Sequence, residues 1–203
     1  MTSTLYYIHD PMCSWCYGFA PTWQKIMDQL PDDIAVEYVV GGLAPDSDEP
    51  MPEATTRMVK GAWHKINEML GTEFNFDFWE NNTPRRSTYP ACRAVLAARA
   101  QGYEKEMIAA IQTAYYRHAL NPSDDHVLIG LADELSMGIE KFKSDLNSDE
   151  INQELMGQIM LSRKLTHRGF PSLVLAHNGN HHFIEHDYLD ADVTLSKVDK
   201  IIS

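Results

Sequence analysis

Apolar residues gather in short runs near both ends of the chain and recur at helical spacing between them. The first run, LYYI at residues 5–8, reads as a strand ended by the turn HDPM, because Pro11 cannot extend a hydrogen-bonded ladder. A helix is predicted from near Cys13 through WCYGFAPTWQKIMDQL. Pro21 falls inside it and removes a backbone donor, which predicts a kink, and Pro31-Asp32 ends it. Residues 34–40, IAVEYVV, are nearly all apolar, as a parallel strand covered on both faces should be, and Gly41-Gly42 closes them. The chain therefore opens as one βαβ unit, with a right-handed crossover.

The middle reads as helix. Residues 53–70 place Met58, Ala62, Ile66 and Met69 on one face. Residues 72–84 are aromatic but broken by polar residues and Pro84, and read as a loop packed on the body. Ser87 or Thr88 can cap the next helix, Pro90 suits its first turn, and the helix runs to Ala100 before Gly102. Residues 103–118 carry Met107, Ile111 and Tyr115 in phase, and further helices are expected over 124–136, 140–146 and 149–165. After Pro171 the strand pattern returns as SLVLAH, the hairpin turn Asn178-Gly179 and HHFIEH. Residues 192–202 predict a last helix with Val193, Leu195, Val198 and Ile201 on one side. The layout is βαβ, a long helical block, then ββα. No repeat and no long polar linker interrupts it, so one domain can hold both parts if the helices are inserted between the sheet halves.

Composition changes this picture little. The 203 residues are 44% hydrophobic and 23% charged, a globular profile. The net charge of −12 repels nucleic-acid phosphates and anionic lipid, and Arg85-Arg86 is too small a basic cluster to oppose it. Neither nucleic acid nor a membrane is an expected partner. No stretch approaches the ~18 apolar residues of a membrane span. MTSTLYYIHD lacks the basic and apolar regions of a signal peptide, so a cytoplasmic location is expected.

The three cysteines, Cys13, Cys16 and Cys92, are too few and too odd in number for a disulfide framework. Cys13-Ser14-Trp15-Cys16 instead has the spacing of a redox dithiol. Two residues between thiols in the first turn of a helix bring the sulfurs within bonding reach. The first thiol also sits where unpaired backbone N–H groups stabilise a thiolate. Cys13 is thus the candidate nucleophile and Cys16 the candidate resolver. Two other readings exist. Half a structural zinc site needs four close ligands, whereas only Cys92 remains and His9 and His64 lack knuckle spacing. Two inert buried cysteines are the other, and no metal ligand is assigned.

DPMCSWCYGF at residues 10–19 resembles the DsbA-like thioredoxin-domain family, in particular its FrnE-like and 2-hydroxychromene-2-carboxylate-isomerase-like relatives. Pro21 stands eight residues after the first cysteine, Gly169-Phe170-Pro171 matches the G-x-P before the third strand, and residues 87–94, STYPACRA, resemble the segment that opens the helix over the active site. The resemblance implies a thioredoxin fold, class α/β, with a large all-helical insertion between its βαβ and ββα halves. The thioredoxin-like part is then 1–44 and 166–203, and the inserted helical part 45–165. It also implies a cis bond at Pro171 and a Phe170 backbone edge that receives an extended substrate across Cys13. The implied activity is thiol–disulfide exchange with protein or low-molecular-weight thiols and disulfides, with no tightly bound cofactor and glutathione as a candidate co-substrate. Two further readings are a glutathione-dependent isomerase or transferase and a chaperone-like peptide binder. Ser14-Trp15 stands where periplasmic DsbA has Pro-His, so a strong-oxidant role does not transfer. The isomerases usually carry serine in place of Cys13.

Around the dithiol, Met12, Ser14, Trp15, Phe170 and Pro171 are the candidate substrate-binding residues, with Trp15 on an exposed turn and Tyr17 and Phe19 as packing. His9 reads as a satisfied structural histidine or a proton shuttle. Glu37 reads as a buried base for Cys16 or an exposed edge residue. Cys92 reads as a small buried hydrophobe or a third redox thiol. Arg93 and His118 lie in the helical block, far from the motif in sequence.

Overall fold

Strands β1 (Ser3–His9) and β2 (Ile34–Val40) run parallel, joined by helix α1 (Ser14–Gln29), in a computed structural model that describes residues 3–203. Strand β3 (Ser172–His177) pairs antiparallel with the other side of β1, and β4 (Asn180–Ile184) returns beside it, giving the order β2-β1-β3-β4. Register places Tyr7 opposite Tyr38 and Leu173. Strand alternation then divides the core. Leu5, Tyr7, Tyr38, Val40, Leu173 and Leu175 join the large core with Phe19, Trp23 and Ile26 of α1 and Leu195 and Val198 of the last helix, α9 (Ala191–Ile202). Ile8, Val39 and Val174 face the other way, against Leu161 and Leu165 of α8 (Asp149–Leu165).

Between β2 and β3 the chain forms α2 (Glu53–Leu70), α3 (Phe78–Asn81), α4 (Tyr89–Arg99), α5 (Glu104–Tyr116), α6 (Asp125–Glu134), α7 (Ile139–Leu146) and α8. Helix α4 is buried from Pro90 to Ala98 and touches α5, α6, α7 and α8, since its alanines let neighbours approach closely. The architecture is α/β: a thioredoxin-like sheet with a helical insertion.

Four local expectations need correction. The aromatic stretch 72–84 contains the short helix α3, and its rings pack with Trp63 and Tyr115. Of the expected face of α2, Ile66 is buried together with Trp63, whereas Met58 and Met69 are exposed and border concave surface beside the dithiol. Thr88 is the residue before α4, but its hydroxyl makes no cap bond to the helix because it is engaged by Asp10. In α9, Val193 is exposed and Ala191 and Thr194 are buried.

Candidate active site

Cys13 occupies the N-cap position of α1 with extended backbone angles, so the helix begins at Ser14 and the first thiol meets its unpaired N–H end. The preceding turn is fixed at three points. The Asp10 carbonyl accepts from the Cys13 N–H at 3.0 Å, Asp10 Oδ1 accepts from the Met12 N–H at 2.9 Å, and the Tyr116 hydroxyl donates to the Met12 carbonyl at 2.7 Å. Tyr116 comes from α5 and stacks on Tyr17 of α1 with ring centroids 4.5 Å apart, so the helical insertion grips the turn that carries the thiol.

All three cysteines are free thiols. Cys13 keeps 7% of its surface and Cys16 none, so a partner reaches Cys13 first. The Cys16 thiol beside it stabilises the Cys13 thiolate and lowers the Cys13 pKa, with the N–H groups of Cys16 and Trp15 contributing; burial and the charge of Asp10 oppose this. Burial pushes the Cys16 thiol well up, reinforced by its neighbour. The arrangement suits one attacking thiolate and one protonated thiol held behind it. The Cys13 thiol also lies 3.5 Å from the carbonyl of Phe170, and the Phe170–Pro171 bond is cis. That carbonyl precedes β3, so the 169–171 turn brings backbone polar groups alongside the reactive sulfur.

The sheet places a second acid next to this pair. Asp10 is fully buried; its Oδ2 accepts from the Leu43 N–H at 2.7 Å and the Thr88 hydroxyl at 2.7 Å, with the Cys92 thiol at 3.5 Å. Burial raises its pKa and these donors pull it back. Every contact to it is a donor, which suits a carboxylate anion. The sequence places Asp10 in the turn and in the motif that carries the resemblance but gives it no role; the signal for one is an acid at the end of an apolar strand.

Trp15 divides the surface beside Cys13 into two concavities. On one side, a chamber of about 290 Å³ is lined by Met12, Cys13, Ser14, Met58, Arg86 and Phe170 among others. On the other, a more open groove of about 510 Å³ runs past Pro171, Met69, Phe183 and Tyr188. The five candidate substrate-binding residues therefore border these two hollows, with Trp15 and Phe170 common to both. Trp15 is half-buried rather than fully exposed, edge-on to Tyr188 at 5.3 Å.

The family model described as Thioredoxin matches residues 6–187. The chain belongs to the thioredoxin family. Among its solved relatives, a Nitrosomonas europaea protein provisionally described as a protein disulfide isomerase is 28% identical, with a TM-score of 0.86 over 98% of this chain and 97% of that one. The cytosolic disulfide reductase DsbM from Pseudomonas aeruginosa is 26% identical, with a TM-score of 0.75 over 97% and 94%. A second structure of that reductase contains GSH. The ClpXP adapter protein SpxH of Bacillus subtilis is 23% identical over 79% of this chain, and the chain spans about half the length of the curated relatives it matches. Membership of the thioredoxin family agrees with the sheet order and with the helix that starts at Cys13.

The remaining candidates separate. Glu37 is exposed on the edge strand β2, so the buried acid is Asp10 and not Glu37. His9 is fully buried but not satisfied: neither ring nitrogen has a hydrogen-bond partner among the described residues, and the ring stacks on Tyr7 at 5.1 Å. With neither ring nitrogen hydrogen-bonded, no proton path through His9 is in place. Burial lowers its pKa from 6.5 to about 3. Arg93 makes a two-pronged pair with Asp46 at 2.8 and 2.9 Å, and His118 lies exposed after α5.

Proposed function

We propose that this thioredoxin-family chain is a thiol–disulfide oxidoreductase that uses Cys13 and Cys16, working in the cytosol as a reductase of protein or small-molecule disulfides. The observation that carries this reading is the asymmetry of the two thiols. Cys13 is at a helix start with its thiolate favoured, whereas Cys16 is buried and kept protonated. The Cys13 thiolate attacks a substrate disulfide, forms a mixed disulfide and releases one thiolate. Cys16 then loses its proton and attacks the Cys13 sulfur, releasing the second thiol and leaving Cys13–Cys16 oxidised. Two electrons pass from the dithiol to the substrate, and a low-molecular-weight thiol such as glutathione returns them. The likeness to a cytosolic disulfide reductase, and that protein's structure with GSH, support this direction.

The test is Cys16→Ser. It leaves attack intact and removes resolution, so a mixed disulfide through Cys13 accumulates and is visible by intact mass, then released by reductant. Cys13→Ser abolishes disulfide reduction. Absence of any adduct in Cys16→Ser, with glutathione-dependent isomerisation of a non-disulfide substrate unchanged, would sink this reading.

A further inference from the structure

The chamber beside Cys13 holds positive charge in a protein that otherwise has little to spare. Arg85 and Arg86 line it, and no carboxylate does, although the whole chain carries a net charge of −12. The two arginines differ. Arg85 is occupied, pairing with Asp124 at 2.6 Å and donating to the Ser123 carbonyl at 2.8 Å. Arg86 is half-buried beside Tyr115 and has neither an ion pair nor a side-chain hydrogen bond among the described residues. The rest of the lining is mainly apolar, with Met51, Met58, Val59 and Ala62, and adds the neutral hydroxyl residues Ser14, Ser87 and Thr88. A guanidinium in such a wall is partly desolvated and unpaired, which makes it a strong receptor for a carboxylate.

We infer that this chamber binds a small disulfide bearing carboxylates, with Arg86 receiving a carboxylate while a sulfur of the ligand meets Cys13. This rests on the redox reading of Cys13 and names the substrate class of that site. Size agrees: about 290 Å³ lies at the lower edge of the ~300–1,000 Å³ usual for small-molecule sites. Helix α2 supplies Met58, Val59 and Ala62 to the chamber, which limits what a folded protein surface could insert. The apolar walls suit the ligand's methylenes, and they strengthen the ion pair by excluding water.

The experiment is single-turnover oxidation of the reduced protein, read by trapping free thiols and by the change in tryptophan fluorescence, to which Trp15 beside the dithiol contributes. In each reaction two thiols of the protein become one disulfide and the reagent disulfide becomes two thiols. Three reagents are compared: glutathione disulfide (net anionic), hydroxyethyl disulfide (neutral) and cystamine (cationic). Each rate is divided by that reagent's rate with dithiothreitol. The wild-type protein prefers them in that order, and the neutral reagent's rate is insensitive to added salt. Arg86→Met lowers the rate with glutathione disulfide about tenfold or more, the scale of a lost charge-assisted contact, and changes the neutral rate less than about twofold. Arg86→Lys, which keeps the charge without the fork, recovers part of the loss. Equal slowing of all three reagents, or no effect on glutathione disulfide, overturns the inference while leaving the redox reading intact. If Arg86→Met does not fold, the wild-type order alone decides: a neutral or cationic preference overturns it. No oxidation by any reagent overturns the redox reading, and this inference with it.

Discussion

His9 and Asp10 are neighbours at the end of β1, both fully buried, and burial disfavours charge in each. Asp10 meets donors from three chain segments and retains a reason to be ionised. His9 packs against aromatic rings without a hydrogen bond, and burial with the nearby Arg99 cation keeps it neutral. The pH consequence of His9 has a definite sign. The unfolded chain protonates it near pH 6.5, whereas the folded chain does so near 3. Between these values the unfolded state binds the extra proton, so the His9 contribution is intact above pH 6.5 and is lost as pH falls toward 3. The loss is about 1.4 kcal/mol per pH unit, or about 2 kcal/mol at pH 5. Urea unfolding of His9→Phe at pH 7.5 and pH 5 should therefore show a flatter pH dependence than wild type by about that amount. An unchanged difference between the two pH values would show that His9 is solvated in the fold. Neither partner set was legible in the sequence. Whether a residue ending a strand meets hydroxyls and N–H groups or aromatic rings depends on Thr88, Leu43 and Tyr38, which are distant along the chain.

At the level of elements, strands and helix starts were legible because their signals are local. The apolar runs at 5–8 and 34–40, the Asn178-Gly179 turn and Pro90 in the first turn of α4 each act within a few residues. The faces of α2 and α9 were legible only in part: Ile66, Leu195 and Val198 are buried as expected, but Met58, Met69 and Val193 are exposed, because a helical stripe states only which residues share a side. Met58 and Met69 share a side that borders hollows, and the buried side of α2 is marked by Trp63. The placement of the 169–171 turn depends on a feature that the sequence shows without explaining, the pair Gly41-Gly42. A Cβ at Gly41 would stand 2.1 Å from the ring of Phe170, and Gly42 has φ +61°. The absent side chain at 41 is thus the space that Phe170 fills, and Phe170 presents its carbonyl to Cys13. Gly41→Ala should push that ring out, lowering stability by about 1–3 kcal/mol as overpacking does. It should also slow disulfide exchange, because the turn moves away from the sulfur. Stopped-flow rates alongside urea unfolding check both, and full activity with unchanged stability would mean that the turn does not depend on this packing.

At the scale of the molecule, the insertion and the sheet are sequentially separate but share one core. The large hydrophobic cluster runs without a break from Leu5, Tyr7 and Leu173 of the sheet through Phe19 and Trp23 of α1 to Trp63, Tyr116 and the buried face of α4. The two parts are joined at the active site itself by contacts that include the Tyr17–Tyr116 stack, the Tyr116 bond to the Met12 carbonyl, and the Thr88 bond to Asp10. Neither part buries its apolar surface without the other, and the turn before Cys13 is shaped by residues from both. The chain should therefore unfold as one unit. In urea, the far-ultraviolet signal, dominated by the helices of the insertion, and the near-ultraviolet signal, which includes Trp15 and Trp23 of α1, should give the same midpoint. Tyr116→Leu keeps an apolar group in the core but removes the stack and the hydroxyl bond. It should lower both midpoints together, by about 1–3 kcal/mol for the unpaired carbonyl and the lost ring contacts. Two separated transitions in the wild-type protein would show that the insertion folds on its own. In that case the geometry around Cys13 could persist without it, and Tyr116→Leu would shift only the transition of the helices.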